Sequence, residues 1–186
     1  MECPKPIKQD KLLKKIAKMK EQNEKRITKL KERLVKAKPK KKVNKESMKY
    51  LRDKAWVLFS KVVREEEHYI CFTCGKSMLD DKAHCHAGHY VPRGKVSSLR
   101  YDRRNVHAQC APCNLYMSGN LSVYAVELEA KYGYGILQEF DKIRADEDEA
   151  RRNKLVARPL TREMLYEMIE FYKLCLEELG VNNIQR

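Results

Sequence analysis

Apolar positions recur at helical spacing at both ends of the chain, and lose that spacing in a middle region. From residue 46 to 66, Met48, Leu51, Ala55, Trp56, Phe59, Val62 and Val63 fall on one stripe of an amphipathic helix. The chain's one tryptophan lies in that stripe, which assigns it to a core rather than to a ligand platform. LSVYAVELEAKYG, Leu121 to Gly133, and GILQEFDKIRADEDEA after it read as two further helices. A last helix spans about 162–179, with Thr161 as its N-cap and Gly180 as its stop. Near the start, residues 9–35 read as one long helix. Leu13, Ile16, Ile27, Leu30 and Leu34 step by threes and fours, with Lys20 and Asn23 interrupting the seam. Such a helix suits self-association, since coiled coils tolerate polar interruptions at a cost in stability; it equally suits a basic helix that orders on DNA. Pro39 and a lysine run make residues 36–44 a linker.

The middle region has a different texture. Tyr69–Phe72 reads as a short strand entering a turn at Gly75, and residues 84–113 read as strand-like pieces broken by glycine and proline. The fold class is therefore α+β. The expected organisation is a basic helical arm and linker over 1–45, a core over 46–135, and C-terminal helices over 136–186. No internal repeat is present.

Charge sharpens this division. The net charge is +14, and residues 1–45 hold +13 of it, with 18 Lys/Arg against 5 Asp/Glu. A basic arm on a near-neutral domain points to a polyanion, most simply nucleic acid, against the blander reading of a solvated helix that aids solubility. No apolar run approaches the roughly 18 residues a membrane span needs, and the N-terminus lacks the apolar stretch of a secretory signal. The expectation is a cytoplasmic protein with no membrane and no small-molecule cofactor. In that reducing compartment seven cysteines speak for metal rather than disulfides.

Two pairs carry the metal signal: CFTC (Cys71, Cys74) and CAPC (Cys110, Cys113). Each C-x2-C turn presents two thiolates, and two turns complete a tetrahedral site suited to zinc. A redox pair would not need the second turn. Cys85, His84, His86 and His68 are competing ligands, but two symmetrical turns already fill four positions. Cys3, in the arm, and Cys175, on the apolar face of the last helix, stand apart.

Between the turns lies HCHAGHYVPRGK, His84 to Lys95, with three of the five histidines in its first six positions. Together with LRYDRRNVHAQC, CN and SGN (residues 99–110, 113–114 and 118–120), AGHY at 87–90 resembles the HNH, or ββα-metal, nuclease motif. More closely it is similar to the lambdoid phage NinG, or Rap, recombination proteins. The resemblance covers about 46–135 well and the ends weakly. It implies a zinc-bracketed ββα core and a structure-selective endonuclease cutting branched recombination intermediates such as Holliday junctions and D-loops. His89 matches the base at the strand end, and Asn105 the loop residue that braces it. Asn114 matches a ligand of a catalytic Mg²⁺ or Mn²⁺, with the zinc purely structural. The resemblance also implies a homodimer, because junction resolution cuts two symmetric strands.

The chemistry suits these residue types. A neutral histidine takes a proton from water near pH 7, and carboxamide oxygens are hard ligands for a divalent cation. One departure matters: many HNH enzymes carry an aspartate ligand just before the base, where this chain has Gly88. His86, Asp102 or Asn120 could supply the missing ligand, although Asn120 could equally cap the helix that follows. His107, grouped with His89 and Asn105, either touches substrate phosphate or packs. Arg93, Lys95, Arg100, Arg103 and Arg104 read as DNA-backbone contacts, or as a solvated loop. Tyr90, Tyr101 and Tyr116 stack on bases or fill a small core. Two other readings stand beside the nuclease: a non-catalytic zinc protein that binds DNA, which Gly88 favours, and an adaptor whose helices recruit a recombinase.

Overall fold

The computed structural model describes residues 21–22, 24–33, 47–155 and 160–181. The chain divides into two units, Met1–Asn44 and Lys45–Arg186. In the first, the described residues 21–22 and 24–33 are helical (α1), within the span whose periodicity predicts a helix. Leu13, Ile16, Lys20, Asn23 and Leu34 of that seam, and the 36–44 linker, lie outside the described residues.

The second unit runs α2 (Met48–Glu66), β1 (Cys85–His89), β2 (Val106–Cys110), α3 (Leu121–Tyr132), α4 (Ile136–Arg152) and α5 (Arg162–Glu178), with a short helical turn at Pro112–Tyr116. The Ser47 side chain caps α2 by accepting from Tyr50 N–H, and the predicted stripe is buried at Leu51, Ala55, Phe59, Val62 and Val63. Thr161 caps α5 in the same way through Met164 N–H. α5 lies along α2, where the Phe59 and Tyr172 rings sit 5.3 Å apart and Leu165, Ile169 and Leu176 are buried. Gly133 and Gly180 close α3 and the end of α5 with φ of 96° and 74°, a region open to glycine without strain.

The two strands pair antiparallel, from Cys85 opposite Cys110 to His89 opposite Val106. They form a two-stranded sheet, so the predicted strand at Tyr69–Phe72 is absent. That stretch is a turn leaving α2, with His68 and Tyr69 at φ of 52° and 56° and a single bridge between Ile70 and Ser77. The backbone there is committed elsewhere: Cys71 N–H donates to Lys76 O at 2.8 Å and Phe72 N–H to Ala108 O at 2.7 Å. A tight cysteine turn and an extended strand cannot share the same residues.

Residues 90–105 join the strands, and two buried polar groups give this loop its shape. Asn105 is fully buried; its amide donates to Val91 O and Leu99 O, both at 3.0 Å, and accepts from Val91 N–H at 2.7 Å. The Glu147 carboxylate, from α4, accepts from Ser97 and Ser98 N–H at 2.9 and 2.8 Å. Burial opposes its ionisation, but the hydrogen bonds from Ser98 and Ser97 outweigh that and hold its pKa below the ordinary value. Between these anchors Val91, Val96 and Leu99 join Tyr124, Leu128, Ile136 and Phe140 in one apolar cluster. Tyr90 packs against Tyr124 in that core, and Tyr101 against Phe59, whereas Tyr116 is exposed.

A second polar cluster ties the end of α2 to β2 and α3. The Glu67 carboxylate accepts from Ala108 N–H at 2.6 Å, Arg103 Nη2 at 2.8 Å and Lys131 Nζ at 3.1 Å, and it pairs with His107 Nδ1. His107 is fully buried, stacks on Phe72 at 3.9 Å, and has Tyr132 Oη 3.3 Å from Nε2. Burial pushes the His107 pKa down to about 4, against the pull of Glu67. Glu67 is held well below the carboxylate range, because the His107 hydrogen bond and the Arg103 and Lys131 charges outweigh its burial.

Two outcomes follow from these anchors. Asn105→Ala strands three buried backbone groups and should cost about 3 kcal/mol in urea unfolding; a loss under about 1 kcal/mol would deny it the bracing role. His107 binds no proton in the fold until pH falls to about 4, whereas the unfolded chain protonates it near the ordinary value of about 6.5. Stability should therefore fall between pH 7 and 5, by on the order of 1–2 kcal/mol from this group. His107→Phe, compared by urea midpoint at both pH values, should flatten that part of the fall.

Candidate functional site

The four predicted thiolates converge. The sulfurs of Cys71, Cys74, Cys110 and Cys113 all lie within 4.8 Å of one another, and Cys74 Sγ stands 3.7 Å from Cys110 Sγ. A tetrahedral zinc with Zn–S bonds of about 2.3 Å has S–S edges of about 3.8 Å, so the donor set and spacing suit an ion such as zinc. Burial opposes the Cys71 thiolate, but the Thr73 hydroxyl and nearby backbone N–H groups outweigh it and bring the thiol to about 6. Cys85, directly across the ladder from Cys110, stays outside this set, with its pKa pushed up to about 11 by burial. The other competing residues also stand apart: His84 pairs on the surface with Asp81 at 2.6 Å, and His68 is exposed.

His89 ends β1, half-buried. Its Nε2 lies 3.0 Å from Arg100 O. A carbonyl only accepts, so Nε2 carries the proton and Nδ1 is left with a lone pair. Burial lowers the His89 pKa, and the Arg93 and Arg100 charges add to this against the Arg100 carbonyl. The imidazole is thus held neutral near pH 7, with a basic nitrogen available. Trp56 stacks on it at 4.9 Å and 18°. The tryptophan predicted as core packing is therefore half-buried and forms the wall behind this ring.

A cluster of amides surrounds Gly88. Gln109 is fully buried; its Nε2 donates to Gly119 O at 2.8 Å and lies 3.3 Å from Thr73 Oγ1. Its Oε1 is buried without a hydrogen-bond partner among the described residues, a situation that costs about 1–3 kcal/mol if nothing else meets the oxygen. Asn114 Nδ2 donates to His86 Nδ1 at 3.0 Å, and burial lowers the His86 pKa, keeping that nitrogen an acceptor. A β-carbon on Gly88 would fall inside contact distance of Gln109 Oε1 and 3.0 Å from Asn114 Oδ1. The left-handed turn at Ser118, Gly119 and Asn120 delivers the Gly119 carbonyl that orients Gln109.

Several predicted roles change. Asn120 stands at the N-cap position of α3 but makes no side-chain cap; its Nδ2 points to Cys113 Sγ at 3.9 Å. Asp102 is occupied by Arg104, at 2.8 Å. Arg103 is bound to Glu66 and Glu67, and Arg104 to Asp102 and Glu139. His107 is packing, within the Glu67 cluster. Arg93 and Lys95 are exposed and Arg100 is half-buried. Gln109 and Glu67 were not singled out from the sequence. Strand alternation from His107 sets Gln109 on the face of His86 and Gly88, but an unmet oxygen has no sequence signature.

The cysteine cluster gives one measurable outcome. The purified chain should carry one zinc, released to a colorimetric chelator after thiol modification. Cys110→Ser should lose it and destabilise the fold by more than about 3 kcal/mol, while Cys85→Ser should retain it. Equal zinc loss in both variants would contradict the four-cysteine assignment.

A family model described as bacteriophage lambda NinG protein matches residues 1–173. Among curated proteins, the chain is 38% identical over 80 residues to protein ninG of Escherichia phage 933W, and 36% identical over 80 residues to protein ninG of Escherichia phage lambda. Each of these matches covers 42% of this chain and 38% of the relative. Protein ninG of Enterobacteria phage H19B is 44% identical over 55 residues, 30% of this chain and 27% of that protein. The matched stretch thus spans well under half the length of these relatives. No solved structure matches. Because the family model runs through the arm, the cysteine turns and the hairpin alike, the chain belongs to the NinG family of lambdoid phage proteins.

Proposed function

We propose that this chain is a metal-dependent endonuclease that hydrolyses branched DNA in phage recombination, with Holliday junctions and D-loops as its substrates. The observation that carries the reading is the state of His89: neutral, at the end of β1, with Nε2 spent on the Arg100 carbonyl and Nδ1 left as a base. Asn105 shapes the loop that contributes that carbonyl. In this reading β1, β2 and the turn bearing Cys113 and Asn114 act as a ββα-metal unit, with zinc holding its base together.

Nδ1 of His89 takes a proton from a water molecule. The water oxygen bonds to phosphorus, and the bond from phosphorus to the 3′-oxygen breaks, its electron pair leaving with that oxygen. The 3′-oxygen gains a proton from solvent, giving a 3′-hydroxyl and a 5′-phosphate, and His89 returns its proton to solvent. A divalent cation, Mg²⁺ or Mn²⁺, would polarise the phosphate and support the departing oxygen; Asn114 and its amide neighbours are the oxygen donors that suit it. Trp56 keeps the imidazole ring in register and shields one face from water. Arg93, Lys95 and Arg100 hold the DNA backbone without reading sequence, and the basic arm adds long-range attraction. A homodimer would address the two symmetric strands of a junction.

The non-catalytic alternative is favoured by Gly88, where a carboxylate ligand is missing. Labelled four-way junctions and D-loops incubated with Mg²⁺, Mn²⁺ or EDTA separate the two. The wild type should cut only with the cation; His89→Ala should bind in gel shift yet cut at least about 100-fold more slowly. The acid limb of the wild-type pH–rate profile should lie below about 6.5, since the His89 pKa is lowered from that ordinary value. Tight binding with no cutting in any metal would establish the non-catalytic reading instead.

A further inference from the structure

Carboxylates meet Arg103, Arg104 and Arg151 at 2.7–3.3 Å. Arg52, Arg93 and Arg100 have no ion pair among the described residues, yet all three are gathered round one aromatic surface. That surface is made by Trp56, from α2, and Tyr101, from the loop, with ring centroids 6.4 Å apart. The Arg93 guanidinium carbon lies 6.0 Å from the Trp56 ring centre, and that of Arg100 lies 5.5 Å from the Tyr101 ring centre. Arg52 stands one helical turn before Trp56, and its carbonyl accepts from Tyr101 Oη at 3.0 Å. The charges of Arg100, Arg52 and Arg93 all bear on the Tyr101 hydroxyl, together with that of Asp53. His89 stacks on Trp56 at 4.9 Å, so the same surface borders the proposed base.

Three positive charges that share a surface without a carboxylate bound among them repel one another, and an anion relieves that repulsion. Arg100 is prepared for one. Its Nε is buried and the residue as a whole is half-buried, so the stem is fixed while the outer nitrogens reach the surface. Its carbonyl is tied to His89 Nε2 at 3.0 Å. A guanidinium held in this way loses little freedom on meeting a ligand, and its fork matches the two non-bridging oxygens of a phosphodiester. We infer that Arg52, Arg93 and Arg100 form one phosphate-binding shelf on the Trp56–Tyr101 surface, which receives the DNA backbone leading away from His89 and carries it over the first half of α2. Arg52 thereby joins the DNA contacts although it lies outside the hairpin. Contacts of this kind position a strand without reading its sequence. The inference rests on the nuclease reading for the identity of the polyanion, and not for its cleavage.

The test is binding of the zinc-loaded full chain to a labelled four-way junction over a range of salt concentrations, with no divalent cation added. Zinc content and far-UV dichroism are checked for each variant. Arg52→Ala, an exposed helical position, should keep the fold, weaken binding about 5-fold or more, and reduce the slope of log affinity against log salt by about 1. Arg100→Lys keeps the charge and loses the fork, so it should weaken binding about 3-fold or more while the slope stays as in the wild type. Lys142→Ala, which removes an exposed charge from α4, should leave both as they are. Emission of Trp56, the chain's one tryptophan, should change when the junction binds the wild type, and change less in Arg52→Ala. Wild-type affinity and slope in folded Arg52→Ala would overturn the inference, as would an equal loss in Lys142→Ala. Trp56 emission that answers inorganic phosphate through these arginines, with junction binding unchanged in the variants, would assign the shelf to a free anion and overturn its assignment to DNA. A protein that cuts while Arg52→Ala binds as the wild type does would leave the nuclease reading standing without the shelf. Binding that depends on Arg52 and Arg100 in a protein that never cuts would sink the nuclease reading alone.

Discussion

A two-stranded antiparallel hairpin is marginal in water by itself, and His86, His89, Asn105 and Gln109 are all hung on one. The fold compensates at both ends. At its base, Cys110, which ends β2, and Cys113 just after it converge with Cys71 and Cys74 from the turn after α2. At its tip, Asn105 binds both sides of the connecting loop, so residues 90–105 close on themselves instead of fraying. The apolar clusters then fill in around a frame already set by thiolates and one amide.

Polar burial is the theme that links frame to chemistry. Asn105, His107, Gln109 and Glu147 all lie inside the fold. Burying such groups is costly without partners, and three of them have full sets. Glu67 and His107 answer each other, and Glu147 is met by the backbone of Ser97 and Ser98. Gln109 is the exception, with one end satisfied and the other open.

Much of this was legible in the sequence, and the limits have physical causes. The helices could be read because a 3.6-residue stripe and caps such as Thr161 are local signals. The cysteine turns could be read because zinc imposes a spacing. Asn105 and Asn114 could be read only through likeness to a family, since an amide in a loop has many uses. Tyr69–Phe72 misled because its composition is that of a strand while its backbone is needed for the cysteine turn. The ion pairs of Arg103 with Glu66 and Glu67, more than thirty residues earlier, and of Arg104 with Glu139, a similar distance later, could not be read at all, although Asp102 beside Arg104 is local. Ion pairs between distant segments leave no trace in a local charge pattern.

The Glu147 clamp has a consequence for how the molecule is made. Its partners, Ser97 and Ser98, lie about fifty residues earlier in the chain. As the polypeptide emerges from the ribosome, N-terminal segments acquire structure first, and the cysteine turns and both strands are out well before α4. The loop that presents Arg93, Lys95 and Arg100 therefore has its Asn105 anchor from the start and gains its Glu147 anchor only when α4 arrives from downstream. Assembly order thus separates the cysteine-bearing frame, available early, from the second anchor of the loop, which comes late.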